Sequence, residues 1–164
     1  VGIVLRIFLL SVIAATSLSS SLSLSCAHPS ESEPQGQYLS LPDGSKSSIF
    51  LVESELEYGS YDQDVHHLKK DAPKKGDPAV IIRGTVRSDY QEDFYIGLSA
   101  DVYDSEGQKL GVVVSPSAPL EGFAVLFVRS GNITPFRLHV PYEGTDVSSY
   151  HVFLGVAPSD FPPP

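Results

Sequence analysis

The chain predicts an all-β domain, an antiparallel immunoglobulin-like sandwich of about seven strands that follows a signal segment and a flexible tether. Three observations carry that expectation. Beyond Ser48, segment after segment alternates apolar and polar residues with a period of two, the pattern of strands with one buried face. No stretch of any length there sustains a helical period. Turn-forming Gly, Asp and Asn residues separate the segments, as antiparallel neighbours require. Apolar residues make up 41% of the chain and aromatics 10%, enough to bury a core. There is no Trp, and the single Cys lies at position 26. The core therefore rests on aliphatic side chains and Phe, without the disulfide and packing Trp of antibody domains.

The elements run in order from the amino end. Residues 1–25 read VGIVLRIFLLSVIAATSLSSSLSLS, with Arg6 as a short positive region and Ile7 to Leu18 mostly apolar. That run is well short of the ~20 apolar residues a spanning helix needs, so it reads as a secretory signal. Leu22-Ser23-Leu24-Ser25-Cys26 then resembles the lipobox of prokaryotic lipoproteins, with Ser23 where Leu is usual. The resemblance implies a lipid on the Cys26 thiol and a membrane anchor. The alternative is an ordinary signal with an incidental cysteine. Residues 26–48 are dense in Ser, Pro, Gly and Glu; such a segment buries too little to offset its chain entropy and reads as a tether, whose later residues, Leu41 to Ser48, alternatively already pack as a turn.

The domain is expected over 49–160. In IFLVESELEY, Phe50, Val52, Leu56 and Tyr58 are expected inward, with Glu53, Glu55 and Glu57 outward. AVIIRGTVR sets Val80, Ile82 and Val86 against Arg83, Thr85 and Arg87. YIGLSADVY sets Ile96, Leu98, Ala100 and Val102 against Tyr95, Ser99, Asp101 and Tyr103. Leu110, Val112 and Val114 alternate next, followed by the apolar run Gly122 to Val128. Phe136, Leu138 and Val140 mark a further strand, and Tyr150, Val152, Leu154 and Val156 the last. Turns fall at Asp104-Ser105-Glu106-Gly107, Ser130-Gly131-Asn132 and Tyr142-Glu143-Gly144-Thr145. Residues 161–164, Phe-Pro-Pro-Pro, form a stiff tail that cannot continue a ladder.

The segment Gly84 to Gly111, GTVRSDYQEDFYIGLSADVYDSEGQKLG, resembles the G-x-V-x-N…V-x-V-x-x-Y-D-x-x-G-x-x-L core of FxLYD-domain proteins. Ser88 and Asp89 stand where that family often has Asn, and Val102-Tyr103-Asp104 takes the place of Leu-Tyr-Asp. Ile133 to Leu154 is similar to the family's Pro-Phe strand and its terminal Tyr-x-hydrophobic strand. The resemblance implies an extracytoplasmic β-sandwich, often found on bacterial or archaeal lipoproteins. It brings no catalytic residues and no cofactor.

The net charge of −9 argues against binding to nucleic acid, whose phosphates this surface repels. No G-x-S-x-G elbow, G-x-G-x-x-G or Walker loop occurs, so the chain is expected not to be an enzyme. Glu53, Glu55 and Glu57 resemble a strand edge guarded by charge more than a hydrolytic pair. Gly59 to Pro78 is the longest irregular stretch and holds Asp62, Asp64, His66 and His67, a possible donor set for a divalent metal. The glycine and closing glutamate of a calcium loop are missing there, and a solvated polar loop is the plainer expectation. Lys69, Lys70, Lys74 and Lys75 form its basic cluster, suited to anionic head groups or simply to water. His139 and His151 would lie opposite each other if the last two strands form a hairpin, close enough to share an ion. Asn132-Ile133-Thr134 is a glycosylation sequon, followed at once by Pro135.

These observations favour a non-catalytic binding or structural module, extracytoplasmic and anchored to a prokaryotic cell membrane through Cys26. The expected partner is another envelope protein or a glycan. Outward aromatics Tyr95, Tyr103 and Phe153 are the expected contacts. A metal-binding carrier or metal-dependent enzyme using the His and Asp residues is the alternative.

Overall fold

A computed structural model describes residues 36–66, 72–116 and 121–156. The signal segment, Cys26, His67, Lys69, Lys70 and the Pro-rich tail lie outside the described residues. Eight strands follow one another: β1 (Gln37–Ser40), β2 (Lys46–Ser60), β3 (Pro78–Ser88), β4 (Phe94–Tyr103), β5 (Lys109–Val112), β6 (Ala124–Val128), β7 (Ile133–Pro141) and β8 (Ser149–Val156). The first sheet runs β1-β2-β3-β7, and the second has β4 pairing with β5, β6 and β8, all antiparallel. The fold is an all-β sandwich. Pairings of β3 with β7 and of β4 with β8 skip over intervening strands, so the chain crosses between sheets in Greek-key fashion.

The core is the interface between the sheets. Val80, Ile82 and Val86 of β3 and Leu138 and Val140 of β7 meet Ile96, Leu98, Ala100 and Val102 of β4 and Val152 and Leu154 of β8, all fully buried. Each such side chain contributes about 1.5–3 kcal/mol by leaving water. The alternation expected for β3, β4, β7 and β8 holds as far as Leu154. The register then passes from Leu98–Leu154 to Gly97–Val156, and this bulge turns Val156 outward beside Gly97, against the expectation that it faces the core. One polar bond spans the two layers, between the hydroxyls of Ser54 on β2 and Tyr150 on β8, 3.0 Å apart and buried.

Four further expectations are corrected. The sandwich begins by Gln37, inside the stretch whose composition suggests a tether, because Leu39 is buried in the main core and β1 pairs with β2. In β2, the inward residues are first Ile49 and Leu51, not Phe50 and Val52. A bulge lies between Leu51, which pairs with Val86, and Glu53, which pairs with Thr85. Val52 is the extra residue, and beyond it the inward set becomes Ser54 and Leu56. One inserted residue moves every later side chain to the other face. Third, β5 stops at Val112, whose side chain is exposed; Val113 enters the main core and Val114 a second cluster.

The fourth correction concerns the stretch after β2, which the sequence suggests is a solvated loop. Its two described arms bond to each other: Tyr61 N–H donates to Asp77 O at 3.0 Å and Val65 N–H to Pro73 O at 2.9 Å. They lay Tyr61 and Val65 over Ala79 and Ile81 on the outer face of the first sheet, where Val114 joins them in a satellite core. The Tyr61 hydroxyl donates to Val114 O at 3.1 Å. The turns at Gly107 and Gly131 form as expected, with positive φ of 77° and 69°.

Candidate binding surface

The outer face of the first sheet changes character along its strands. At one end a single row crosses all four: Tyr38 pairs with Phe50, Phe50 with Arg87, and Arg87 with Ile133. Tyr38 and Ile133 are 42% and 61% exposed, unusual for large apolar side chains on a strand. The Tyr38 and Phe50 rings meet edge to face at 5.1 Å, and the Arg87 guanidinium sits 4.9 Å above the Phe50 ring. Asp89, just past β3, holds the group from behind. It accepts from Tyr38 Oη at 2.6 Å and from Arg87 Nε at 2.9 Å. Those two donors, Arg87 first, hold the Asp89 carboxyl below the usual range, while the hydrogen bond to Asp89 pushes the Tyr38 phenol up.

The middle of the face is a grid of charge. Arg83 Nε donates to Glu55 Oε1 at 2.7 Å and its Nη1 lies 3.4 Å from Glu57. Arg137 lies 3.8 Å from Glu57 and 3.7 Å from Asp62. Among the described residues, the Glu53 carboxylate meets only the Thr85 hydroxyl, at 3.5 Å. At the far end the satellite core closes over Ile81 and His139.

Of the candidate metal donors, Asp62, Asp64, His66, His139 and His151 are among the described residues. Asp62 is drawn to Arg137. The carboxylate of Asp64 accepts from the Lys75 backbone N–H at 2.8 Å, which ties the two arms of the loop together. His66 is exposed, and among the described residues no three His, Cys, Asp or Glu side chains converge. The expected facing of His139 and His151 is overturned. His139 pairs with Ile81 in the first sheet and His151 with Asp101 in the second, because β7 and β8 cross between layers and form no hairpin. His139 is also buried, not on the surface, since Tyr61 stacks on it. Burial, and then the nearby Arg137 charge, push its pKa below the ordinary imidazole value. Asn132 is exposed in the turn before β7.

Tyr95, Tyr103 and Phe153 do point outward, from the second sheet, but each is half-buried by a neighbour. Tyr95 packs on Phe127 at 5.0 Å, Phe153 stacks on His151 at 5.6 Å, and the Tyr103 hydroxyl bonds to Asp101. The row of Tyr38, Phe50, Arg87 and Ile133, exposed at its two ends, escapes a reading of the sequence. Tyr38 lies in a stretch whose composition hides a strand, and the bulge reverses the facing of Phe50. A signal was present: Leu39 and Leu41 alternate with Tyr38 and Ser40.

Comparison of the chain with family models, curated proteins and solved structures finds no match.

Proposed function

We propose that the protein is a surface lipoprotein of a prokaryotic cell envelope, anchored through Cys26, whose sandwich is a non-catalytic binding module of the FxLYD type. The row of Tyr38, Phe50, Arg87 and Ile133 is the observation that supports this reading. Tyr, Phe and Arg are residue types enriched where proteins bind, and an anchor already ordered before contact loses less entropy on binding. Arg87 is held by Asp89 and by the Phe50 ring, so its geometry exists in the free protein. The function is recognition of another envelope protein, with the lipid keeping the domain at the membrane.

The test is crosslinking and capture of the protein from its own membrane, read by mass spectrometry, beside the Tyr38→Ala and Arg87→Ala variants. A dominant partner that is lost by roughly tenfold or more in either variant supports the reading. Equal capture by all three proteins removes the row from the function. The same spectra report whether the mature chain begins at an acylated Cys26.

A further inference from the structure

The first sheet carries a second opening, on its edge. Among the described residues, β1 covers only part of β2, from Lys46 to Leu51, which pairs with Gln37. Gly36, the first of the described residues, has a φ of 81°, and its N–H donates to Leu51 O at 3.0 Å. From Glu53 to Ser60, β2 pairs with β3 on one side and, among the described residues, with no strand on the other. Every second residue of such an edge directs its N–H and C=O outward. Glu53, Glu55, Tyr58, Gly59 and Ser60 are exposed along it.

We propose that this half-edge of β2 accepts an extended segment of a partner protein in which basic and apolar residues alternate. The inference goes beyond the contact row above and does not depend on it. The pattern follows from the two faces of the edge. On the outer face stand Glu53, Glu55 and Glu57, spaced so that an added strand sets one residue opposite each. With Asp62 they are four carboxylates facing two guanidiniums, Arg83 and Arg137, so among the described residues negative charge is in excess there. Among the described residues no cation lies within ion-pair distance of Glu53, and beside it a hollow of about 180 Å³ opens between Glu53, Ser54, Glu55, Arg83 and Gly84. A lysine or arginine side chain of the added strand fills that hollow. On the inner face Leu56 is half-buried and Tyr58 is 39% exposed, so the intervening residues of the added strand are apolar and cover them.

The same charges exclude other occupants. Antiparallel pairing of two β2 edges from two copies sets glutamate against glutamate, which is unfavourable. The chain's own residues ahead of β1 include Glu31, Glu33 and Pro34, which match neither the charge nor the backbone donors required. An edge guarded against acidic strands is, by the same chemistry, selective for a basic one.

The test uses the full chain and short synthetic peptides that alternate lysine with valine, glutamate with valine, or carry the lysines in one block. Binding is read by fluorescence anisotropy, and amide hydrogen exchange locates it. The alternating lysine peptide is expected to bind and to slow exchange across Glu53–Ser60. Its affinity falls roughly tenfold between about 0.05 M and about 0.5 M salt. Glu53→Lys, at an exposed residue outside the ion-pair grid, also weakens binding about tenfold. Binding of the glutamate peptide with equal affinity, or slowed exchange confined to other strands, overturns the proposal. So does an absence of binding by the lysine peptide at low salt.

Discussion

The imidazole of His139 stacks on the phenol ring of Tyr61, with centroids 5.1 Å apart and planes inclined by 24°. This contact joins β7 to the chain that leaves β2, and it buries a titratable ring whose Nε2 has no hydrogen-bond partner among the described residues. Burial lowers the folded-state pKa, Arg137 lowers it further, and Asp62 opposes them in part. The unfolded chain, with an imidazole pKa near 6.5, therefore takes up the proton first as the pH falls. The stability that neutral His139 carries is present in full above about pH 6.5 and is lost as the pH falls from there toward the lower folded value. His139→Phe keeps the stack and removes the titration. Thermal melts between about pH 7 and pH 5 are expected to show a shallower loss of Tm in the variant than in the parent.

Among the described glycines, Gly84 has the closest backbone neighbour. A Cβ built there would lie 2.1 Å from the carbonyl oxygen of Glu53 and 2.9 Å from Cζ of Phe136. Neither neighbour can yield easily, since one is backbone at the bulge and the other a ring in the core. Gly84→Ala is expected to cost about 1–3 kcal/mol or more, through displacement of β2. Gly107→Ala meets no atom within 4 Å, and its cost comes from the positive φ alone. Urea denaturation of the two variants side by side separates crowding from backbone strain.

The Ser54–Tyr150 bond ties the layers together at the open side of the sandwich. Tyr150→Phe removes a buried partner of the Ser54 hydroxyl, for an expected loss of about 1–3 kcal/mol. Replacing both residues, with Ser54→Ala added, is expected to cost less than the sum of the single changes. A double-mutant cycle by denaturant melts measures the difference, expected at about 0.5–3 kcal/mol for a direct contact.

The bulge makes a sharper case. Val52 stands unpaired between Leu51 and Glu53. Deleting Val52 leaves Leu51, Ser54 and Leu56 on their present faces and regularises the ladder, so the protein is expected to fold with its core intact. Deleting Leu56 instead reverses the faces of the residues that follow it. Near-ultraviolet circular dichroism and melting cooperativity distinguish the two, with the native signal kept in the first and lost in the second.

Much of the sandwich is legible in the sequence, for a physical reason. β3, β4, β7 and β8 are flanked by other strands or by core on long stretches, so selection for burial leaves a clean period of two in Val80–Val86, Ile96–Val102, Phe136–Val140 and Tyr150–Leu154. The reading fails where one extra residue breaks the period, at Val52, and where a strand is too short to show one, at Gln37–Ser40. It fails again at His139 and His151, because adjacency in sequence does not determine which sheet a strand enters. The contact row shares that limit. Tyr38, Phe50, Arg87 and Ile133 come together only through cross-strand register, which local pattern does not encode.

The position of β4 has a consequence for how the domain comes into being. β4 is the central strand of its sheet, yet β8, which covers one of its edges from Gly97 to Tyr103, is the last strand in the chain. A chain that emerges amino end first exposes the apolar row of Leu98, Ala100 and Val102 and an unpaired ladder until Val156 has followed. Closure waits on contacts far apart in sequence, which slows folding and lengthens the interval of aggregation risk. Delivery of the whole chain before collapse, as when an unfolded polypeptide is threaded across a membrane, suits this topology better than folding as synthesis proceeds.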